Sequence, residues 1–420
     1  MLTPTWEVDP PRESPLLAHV NATATGGGVS ELLRNLLRHQ PAGWAVIAGN
    51  ADFYAVTKYL HHLLHGQADP TRLDDPALIR TYRATLEPQH AWFADQIRPD
   101  DVVVLHDPQT LGLAPAIKAA GGKPVWHCHI GATIDPERGP ARMWQAFEPE
   151  FDALDAVVTT LPEFAPPNTK NLFLIPPAVD PSAVKNRDLG ATEIDALLAE
   201  IGLTSDRIAP DVAITHEKPL PPDSRVVLQV SRWDPLKDMP GVARCVVGLP
   251  RDAHVVLAGT NPTEIPDDPE GLAVLAEVRA VLAELSEVDR GRLHLVNISM
   301  RDQDRNALIV NALQRRADVV VQKSLQEGFG LTVTEAMIKG KAVIASDVGG
   351  LRQQITHGHN GILVDPADIG SVREELRRLL DDPTLRRELG GRARATVLEH
   401  YTMRQFADAY RQLAKSVHEA

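Results

Sequence analysis

Residues Val319–Gly350 read VVVQKSLQEGFGLTVTEAMIKGKAVIASDVGG. A continuous apolar run passes through Gly328-Phe329-Gly330 into a helical pattern beginning near Leu331. The chain then returns to a second apolar run at Ala342–Ser346. Strands without polar alternation, separated by a helix, are the pattern of a parallel sheet covered on both faces. The unit recurs along the chain. "LLAHVNA", "WAVIAG", "DVVVLHD", "KPVWHCH", "DAVVTT" and "NLFLIPP" form one series before residue 180. "RVVLQVSR", "HVVLAG", "LHLVNIS", "DVVVQKS", "AVIAS" and "GILVD" form another after residue 222. Between them lies a Pro-rich stretch with few strand signals. The predicted class is α/β, two doubly wound parallel-sheet domains facing across a cleft, with ligands beyond the carboxyl ends of the strands.

The 420 residues exceed one ordinary core. Hydrophobic content of 43% and charged content of 24% are those of a globular protein. A net charge of −13 argues against nucleic acid or an anionic membrane as partner. Cys128 and Cys245 are the only cysteines, which fits a reducing compartment and no disulfide framework. The start, "MLTPTWEVDPPRESP", lacks the apolar core of a signal peptide, and a cytoplasmic protein is expected.

Within the opening stretch, Glu327 precedes the helix start and Glu335 falls just beyond its first turn. The helix N-terminus between them directs free amides and a positive partial charge at an anion. A carboxylate accepts two hydroxyl donors, so such a pair can hold sugar hydroxyls. The plain alternative, a solvated helix face, fits poorly among so many apolar residues and paired glycines. "QVSRWDPLKD" places Arg232 and Lys237 after the first strand of the second series, where two cations can neutralise a leaving diphosphate. Its alternative is a surface loop paired through Asp234 and Asp238. "TGGGVSE" (Thr25–Glu31) joins a strand to a helix and suits an anion near its backbone. It is neither G-x-G-x-x-G nor a Walker loop, and a tight turn alone is its competing reading. In "VWHCHIGAT", period-2 alternation puts His127 and His129 on one face and Cys128 on the other. The pair lacks a third metal ligand in sequence, and a sugar hydroxyl is the partner expected of it. "LHDPQT" supplies His106, Asp107 and Gln109 at another strand end.

Together these residues resemble the retaining nucleotide-sugar glycosyltransferases of the GT-B fold, in the family that includes sucrose and trehalose synthases. The shared marks are the Glu-x7-Glu segment, the Arg…Lys pair and the N-terminal glycine loop. "NATATGGGVSELL", "VVVLHDPQTLGL", "WHCHIGAT" and "PPAVDPSAVKNRDL" look like the trehalose glycosyltransferring synthase branch. The resemblance implies a hexosyl transfer from a nucleoside-diphosphate sugar to a small polar acceptor. The acceptor is glucose, giving trehalose, or a cyclitol, aminosugar or thiol. A GT-B epimerase, a phosphorylase and a non-catalytic sugar-binding protein are the rival readings.

It further implies that Arg232 and Lys237 meet the donor diphosphate and that Glu327 and His129 meet the transferred sugar. Phe329, Gly330, Leu331 and Thr332 would contribute backbone amides. Glu335 would hold the ribose, and the loop around Asn297 the base. Gly27 and Gly28 would approach the diphosphate and acceptor, with His106, Asp107, Gln109 and His127 on the acceptor side. No cofactor and no metal are implied, so activity is expected to survive EDTA. The expected division is 1–180 for the acceptor domain, 181–222 for a connector and 223–398 for the donor domain. Residues 399–420 would form a helix returning to the N-terminal domain, with a hinge near Pro176–Asp180 and room for a homodimer.

Overall fold

All twelve apolar runs form strands. The structure, a computed structural model, describes residues 3–11, 15–25, 28–132, 140–264 and 269–419. It divides into two units, one ending at Ala178 and resuming at Met403, the other spanning Val179–Thr402.

The first unit holds a sheet of β1 (Thr5–Val8), β2 (Leu17–Asn21), β3 (Gly43–Val46), β4 (Val102–His106), β5 (Lys123–His127), β6 (Ala156–Thr159) and β7 (Leu172–Leu174). Their spatial order is β1-β3-β2-β4-β5-β6-β7. All neighbours are parallel except β1, which pairs antiparallel with β3. The two-residue period distributes β4 between two cores, Val103 and Leu105 on one face, Val102 and Val104 on the other. The second face is covered by the helix Met403–Glu419, which buries Met403, Phe406, Ala407, Tyr410, Leu413 and Val417. At about 1.5–3 kcal/mol for each large apolar side chain removed from water, this burial fixes the terminal helix on the sheet.

The second unit holds β8 (Val212–Thr215), β9 (Arg225–Val230), β10 (Ala253–Thr260), β11 (Leu293–Ile298), β12 (Val319–Gln322), β13 (Ala342–Ser346) and β14 (Ile362–Val364). The order is β14-β13-β12-β9-β10-β11-β8, and only β8 runs antiparallel. Without β8 this is the doubly wound arrangement with its reversal between β9 and β12. In the first sheet the reversal lies at β2, flanked by β3 and β4.

Two boundaries differ from the sequence reading. Residues 181–222 are not a bare connector: they carry the helix Ala191–Glu200 and β8, whose backbone completes the edge of β11. The segment from residue 399 divides after Thr402, because the helix Pro383–His400 and Tyr401 belong to the second core. No helix among the described residues is long and apolar enough to cross a membrane.

Candidate active site

In the second unit the loops leaving β9 and β12 emerge side by side, since Val319 pairs with Val227 and Val320 with Leu228. Buried Gln229 joins them, donating to the Lys237 carbonyl at 2.7 Å and accepting from the Lys323 amide at 3.0 Å. Leu325 N–H donates to the Leu236 carbonyl at 2.7 Å. These bonds bring Lys237 Nζ to 2.8 and 2.7 Å from the two oxygens of Glu327. Only 15% of the lysine side chain and 10% of the glutamate are exposed. Ser324 Oγ also donates to Glu327 Oε2, at 2.9 Å. Arg232 remains 62% exposed beside Asp234 at 2.8 Å. Such a surface pair is worth about 0–1 kcal/mol, so little holds the guanidinium back from a ligand. Asp238, the other expected partner of this loop, pairs instead with Lys323.

The helix Leu331–Ile338 starts directly after this pair. Its N-cap, Gly330, has φ 89°, and no side chain caps the helix. The Leu331 and Thr332 amides therefore look outward for acceptors. Thr332 Oγ1 is held by Gln322 Oε1 at 3.0 Å, which orients the first turn, and Phe329 is buried under the loop. Glu335 lies deeper. Lys185 Nζ is 3.2 Å from its Oε1, while Oε2 is buried without a hydrogen-bond partner among the described residues. One acceptor oxygen is thus paired and one is open.

Asn297 is not in a loop. It is the penultimate residue of β11, 3% exposed, with Nδ2 donating to the Ala213 carbonyl of β8 at 3.4 Å.

In the first unit, Gly27 lies outside the described residues. Gly28 is the first residue of the helix Gly28–Leu36, and a Cβ built there meets nothing within 4 Å. Neither backbone strain nor packing demands glycine at that point. The position has room for the close approach of a ligand that the sequence reading expects there. Gly28→Ala is expected to preserve or slightly raise the melting temperature, since alanine favours helix by about 0.5–1 kcal/mol. The same change should lower kcat/KM by roughly ten-fold or more through contact with bound substrate. Unchanged turnover would show that the glycine has no part in binding.

Four histidines meet where the middle of β2 lies beside the carboxyl ends of β4 and β5. His19 Nδ1 lies 3.0 Å from His106 Nε2, and His106 Nδ1 lies 2.9 Å from His129 Nε2. His127 stacks on His129 with centroids 3.8 Å apart, and its Nδ1 is 2.5 Å from the Tyr410 hydroxyl. Cys128 faces the opposite core. Burial drives every imidazole toward neutrality. His19 and His129 fall to about 3, and His106 and His127 lie well below their ordinary value. Asp107, with φ 60°, accepts the His129 amide at 2.8 Å through Oδ1, and burial raises its carboxyl to about 7. Gln109 leaves its Oε1 buried without a partner among the described residues.

One nitrogen each of His106, His127 and His129 lie within 4.8 Å of one another, so imidazoles from three sequence positions meet the first requirement of a metal site. A tetrahedral ion needs lone pairs converging at about 2.0–2.1 Å. The stacked rings of His127 and His129, only 24° from parallel, hold theirs nearly side by side. One ring has to turn before the set converges.

This cluster makes the protein sensitive to acid. A histidine whose folded pKa is depressed supports the fold fully above about pH 6.5 and loses that support as pH falls toward the folded value. Asp107 acts the other way, its raised pKa favouring the fold below about pH 4 and ceasing to as pH passes 7. Four imidazoles outweigh one carboxyl, so unfolding near pH 5 takes up protons on balance, and His254 and His294, lowered by burial to about 4 and about 3, add to that uptake. Urea unfolding between pH 7.5 and 5 should show this loss, and His127→Gln should make the pH dependence shallower. A pH-independent midpoint over that range contradicts the neutral cluster.

Residues 19–166 match the family described as trehalose synthase, N-terminal domain, and residues 293–396 match glycosyl transferases group 1. The trehalose synthase of Rubrobacter xylanophilus is 34% identical over 94% of this chain and 89% of its own length. The chain belongs to the trehalose synthase family of glycosyltransferases. A second family member, the trehalose synthase of Pyrococcus horikoshii, is 31% identical over 95% of this chain and 89% of its own. Among solved structures, an α,α-trehalose-phosphate synthase (UDP-forming) of Burkholderia xenovorans, in complex with glucose-6-phosphate, superposes with a TM-score of 0.70. That alignment covers 95% of this chain and 99% of that one at 16% identity, a likeness of fold. The fold is GT-B.

Sequence reasoning passed over several residues that shape these two clusters. His19 was readable as a polar residue amid an apolar strand. Tyr410 carried no signal, because nothing local ties a helix near the C-terminus to a strand end near residue 127. Gly349 and Gly350 matter for a steric reason. A Cβ at Gly349, where φ is 45°, falls 1.9 Å from the Glu327 carbonyl oxygen, and one at Gly350 falls 2.3 Å from that of Gly328. Gly350 N–H donates to the Glu327 carbonyl at 3.1 Å.

Proposed function

We propose that the protein transfers a glucosyl group, with retention, from a nucleoside-diphosphate glucose to free glucose, forming trehalose. The observation that carries this reading is the Lys237–Glu327 pair beside an uncapped helix N-terminus, at the strand-order reversal of the second sheet. A buried carboxylate, a flexible cation and outward amides within one loop system suit a sugar joined to a diphosphate.

In this reading Lys237 and Arg232 take the diphosphate charge together with the Leu331 and Thr332 amides. Glu327, with the Phe329 and Gly330 backbone, takes hydroxyls of the transferred sugar. The open Oε2 of Glu335 takes a ribose hydroxyl. The bond from the anomeric carbon to the phosphate oxygen breaks, and one to the acceptor oxygen forms on the same face. The acceptor proton passes to the departing phosphate oxygen, so no protein nucleophile is needed. Catalysis then rests on positioning and on neutralising the leaving group. The relatives named trehalose synthases direct the acceptor assignment to glucose. His106, His127 and Asp107 add a physical reason: two neutral imidazoles and a carboxyl supply no positive charge for a phosphorylated acceptor.

The test is a donor-by-acceptor matrix read by mass spectrometry, with NMR of the new anomeric centre. Trehalose from glucose, and much less product from glucose 6-phosphate, is the expected result. Product only when glucose 1-phosphate replaces the nucleotide donor, with cleavage of trehalose by inorganic phosphate in the reverse direction, would make this a phosphorylase. Turnover confined to a cyclitol, aminosugar or thiol would overturn the acceptor assignment.

A further inference from the structure

His19, His106 and His129 form one hydrogen-bonded run from the interior of β2 to the rim of the first sheet. His19 and His106 are 0% and 1% exposed, whereas His129 is partly exposed. Each N···N bond holds a single proton, and all three rings are neutral. The run therefore has only two arrangements.

In the first, every ring carries its proton on Nδ1. His19 donates to His106, His106 donates to His129, and His129 Nδ1–H faces outward. In the second, every ring carries its proton on Nε2. His129 donates inward, His106 donates to His19, and His19 Nε2–H points into the core. His19 Nε2 has no hydrogen-bond partner among the described residues. The second arrangement therefore strands a buried N–H, and the first strands only a lone pair. Buried donors without acceptors are the rarer and costlier defect. Nothing in this polarity depends on His127, whose Nδ1 is engaged by Tyr410 while its ring stacks on His129 and limits rotation.

We propose that His19 and His106 are positioning residues that lock His129 as the Nδ1–H tautomer, so that it presents a hydrogen-bond donor, not a lone pair, to an oxygen of the bound sugar. The inference rests on reading His129 as a sugar-contacting residue. It adds that specificity for an oxygen acceptor at this point is set about two side chains away, in the core of the sheet. A lone pair at the same position would select a donor hydroxyl and repel a bare oxygen.

The decisive measurement is two-bond proton–nitrogen NMR of the full-length protein labelled at its histidines, with His129→Gln identifying the His129 signals. The expected spectrum has His129 Nδ1 protonated and Nε2 bare, the minor tautomer of histidine in water. Protonation at Nε2 overturns the proposal, and this outcome is independent of whether trehalose is the product. Two variants test the consequence. His19→Asn keeps an N–H donor near the Nδ1 position, whereas His19→Asp, measured at a pH high enough to ionise the buried carboxyl, offers only acceptors and reverses the run. His19→Asn should exceed His19→Asp by about ten- to a hundred-fold in kcat. The His129 signals should move to the Nε2–H form in His19→Asp alone. Equal kcat in the two variants, with both folded by thermal melts, also overturns it. If His19→Asp does not fold, the wild-type spectrum still decides.

Discussion

Lys237→Ala is expected to lower kcat by about 10²–10³-fold, the scale of removing one preorganised charge donor from a developing negative centre. The protein should remain folded. Its Nζ lies on Glu327, and Ser324 keeps its hydrogen bond to that carboxylate when the lysine is gone. Some stability is nevertheless lost, because removing one partner of a buried pair leaves an uncompensated charge, at a cost of about 3–5 kcal/mol. Only 15% exposure of the lysine side chain places this pair nearer the buried limit. Steady-state kinetics with saturating donor, alongside a urea melt, separates the two effects. Near-normal turnover would remove Lys237 from the chemistry. Lys237→Arg should recover charge but not the compact contact with both oxygens, and so recover only part of the rate.

Gly349→Ala is expected to disable the protein by a different route. The added carbon would lie 1.9 Å from the Glu327 carbonyl oxygen, and the backbone there has φ 45°. No rotamer relieves a clash between Cβ and backbone, so either the Glu327 loop or the 347–350 turn must move. Overpacking costs about 1–3 kcal/mol and the left-handed backbone about 1–2 more. For a domain of roughly 150–250 residues that corresponds to a fall of about 4–20 °C in Tm. Displacing Glu327 also separates it from Lys237, so activity should fall even where the variant is folded. A variant with wild-type Tm and kcat would mean that the turn yields freely. The contrast with Gly28→Ala, where the added carbon meets open space, makes the pair informative: one substitution tests the protein's own packing, the other the proposed contact with a ligand.

The parallel strands were legible because both faces are buried, which writes them as unbroken apolar runs such as Val319–Val321. The two antiparallel edges were not. β1 and β8, TWEV and VAIT, are largely exposed or half-buried and lack that run. Missing β8 made residues 181–222 look like a connector. Lys237 and Glu327, 90 residues apart, were each readable from their motif. Their direct pairing was not, since it depends on β9 and β12 lying side by side. Asp238 shows the same limit: it sits next to Lys237 in sequence but pairs with Lys323. His19 and Tyr410 join one cluster from opposite ends of the chain, a relation that local pattern cannot encode.

The helix Met403–Glu419 closes a core whose sheet is made from residues before 178. A ribosome therefore releases the first unit's strands long before it releases their cover. During synthesis the face lined by Val102, Val104 and Val125 waits while the whole second unit emerges and can fold. Tyr410, which holds His127, emerges only after the second unit. The histidine cluster is thus completed after the second unit has emerged, and a message cut short before that helix yields a chain with the Lys237–Glu327 loops in place but no finished histidine cluster.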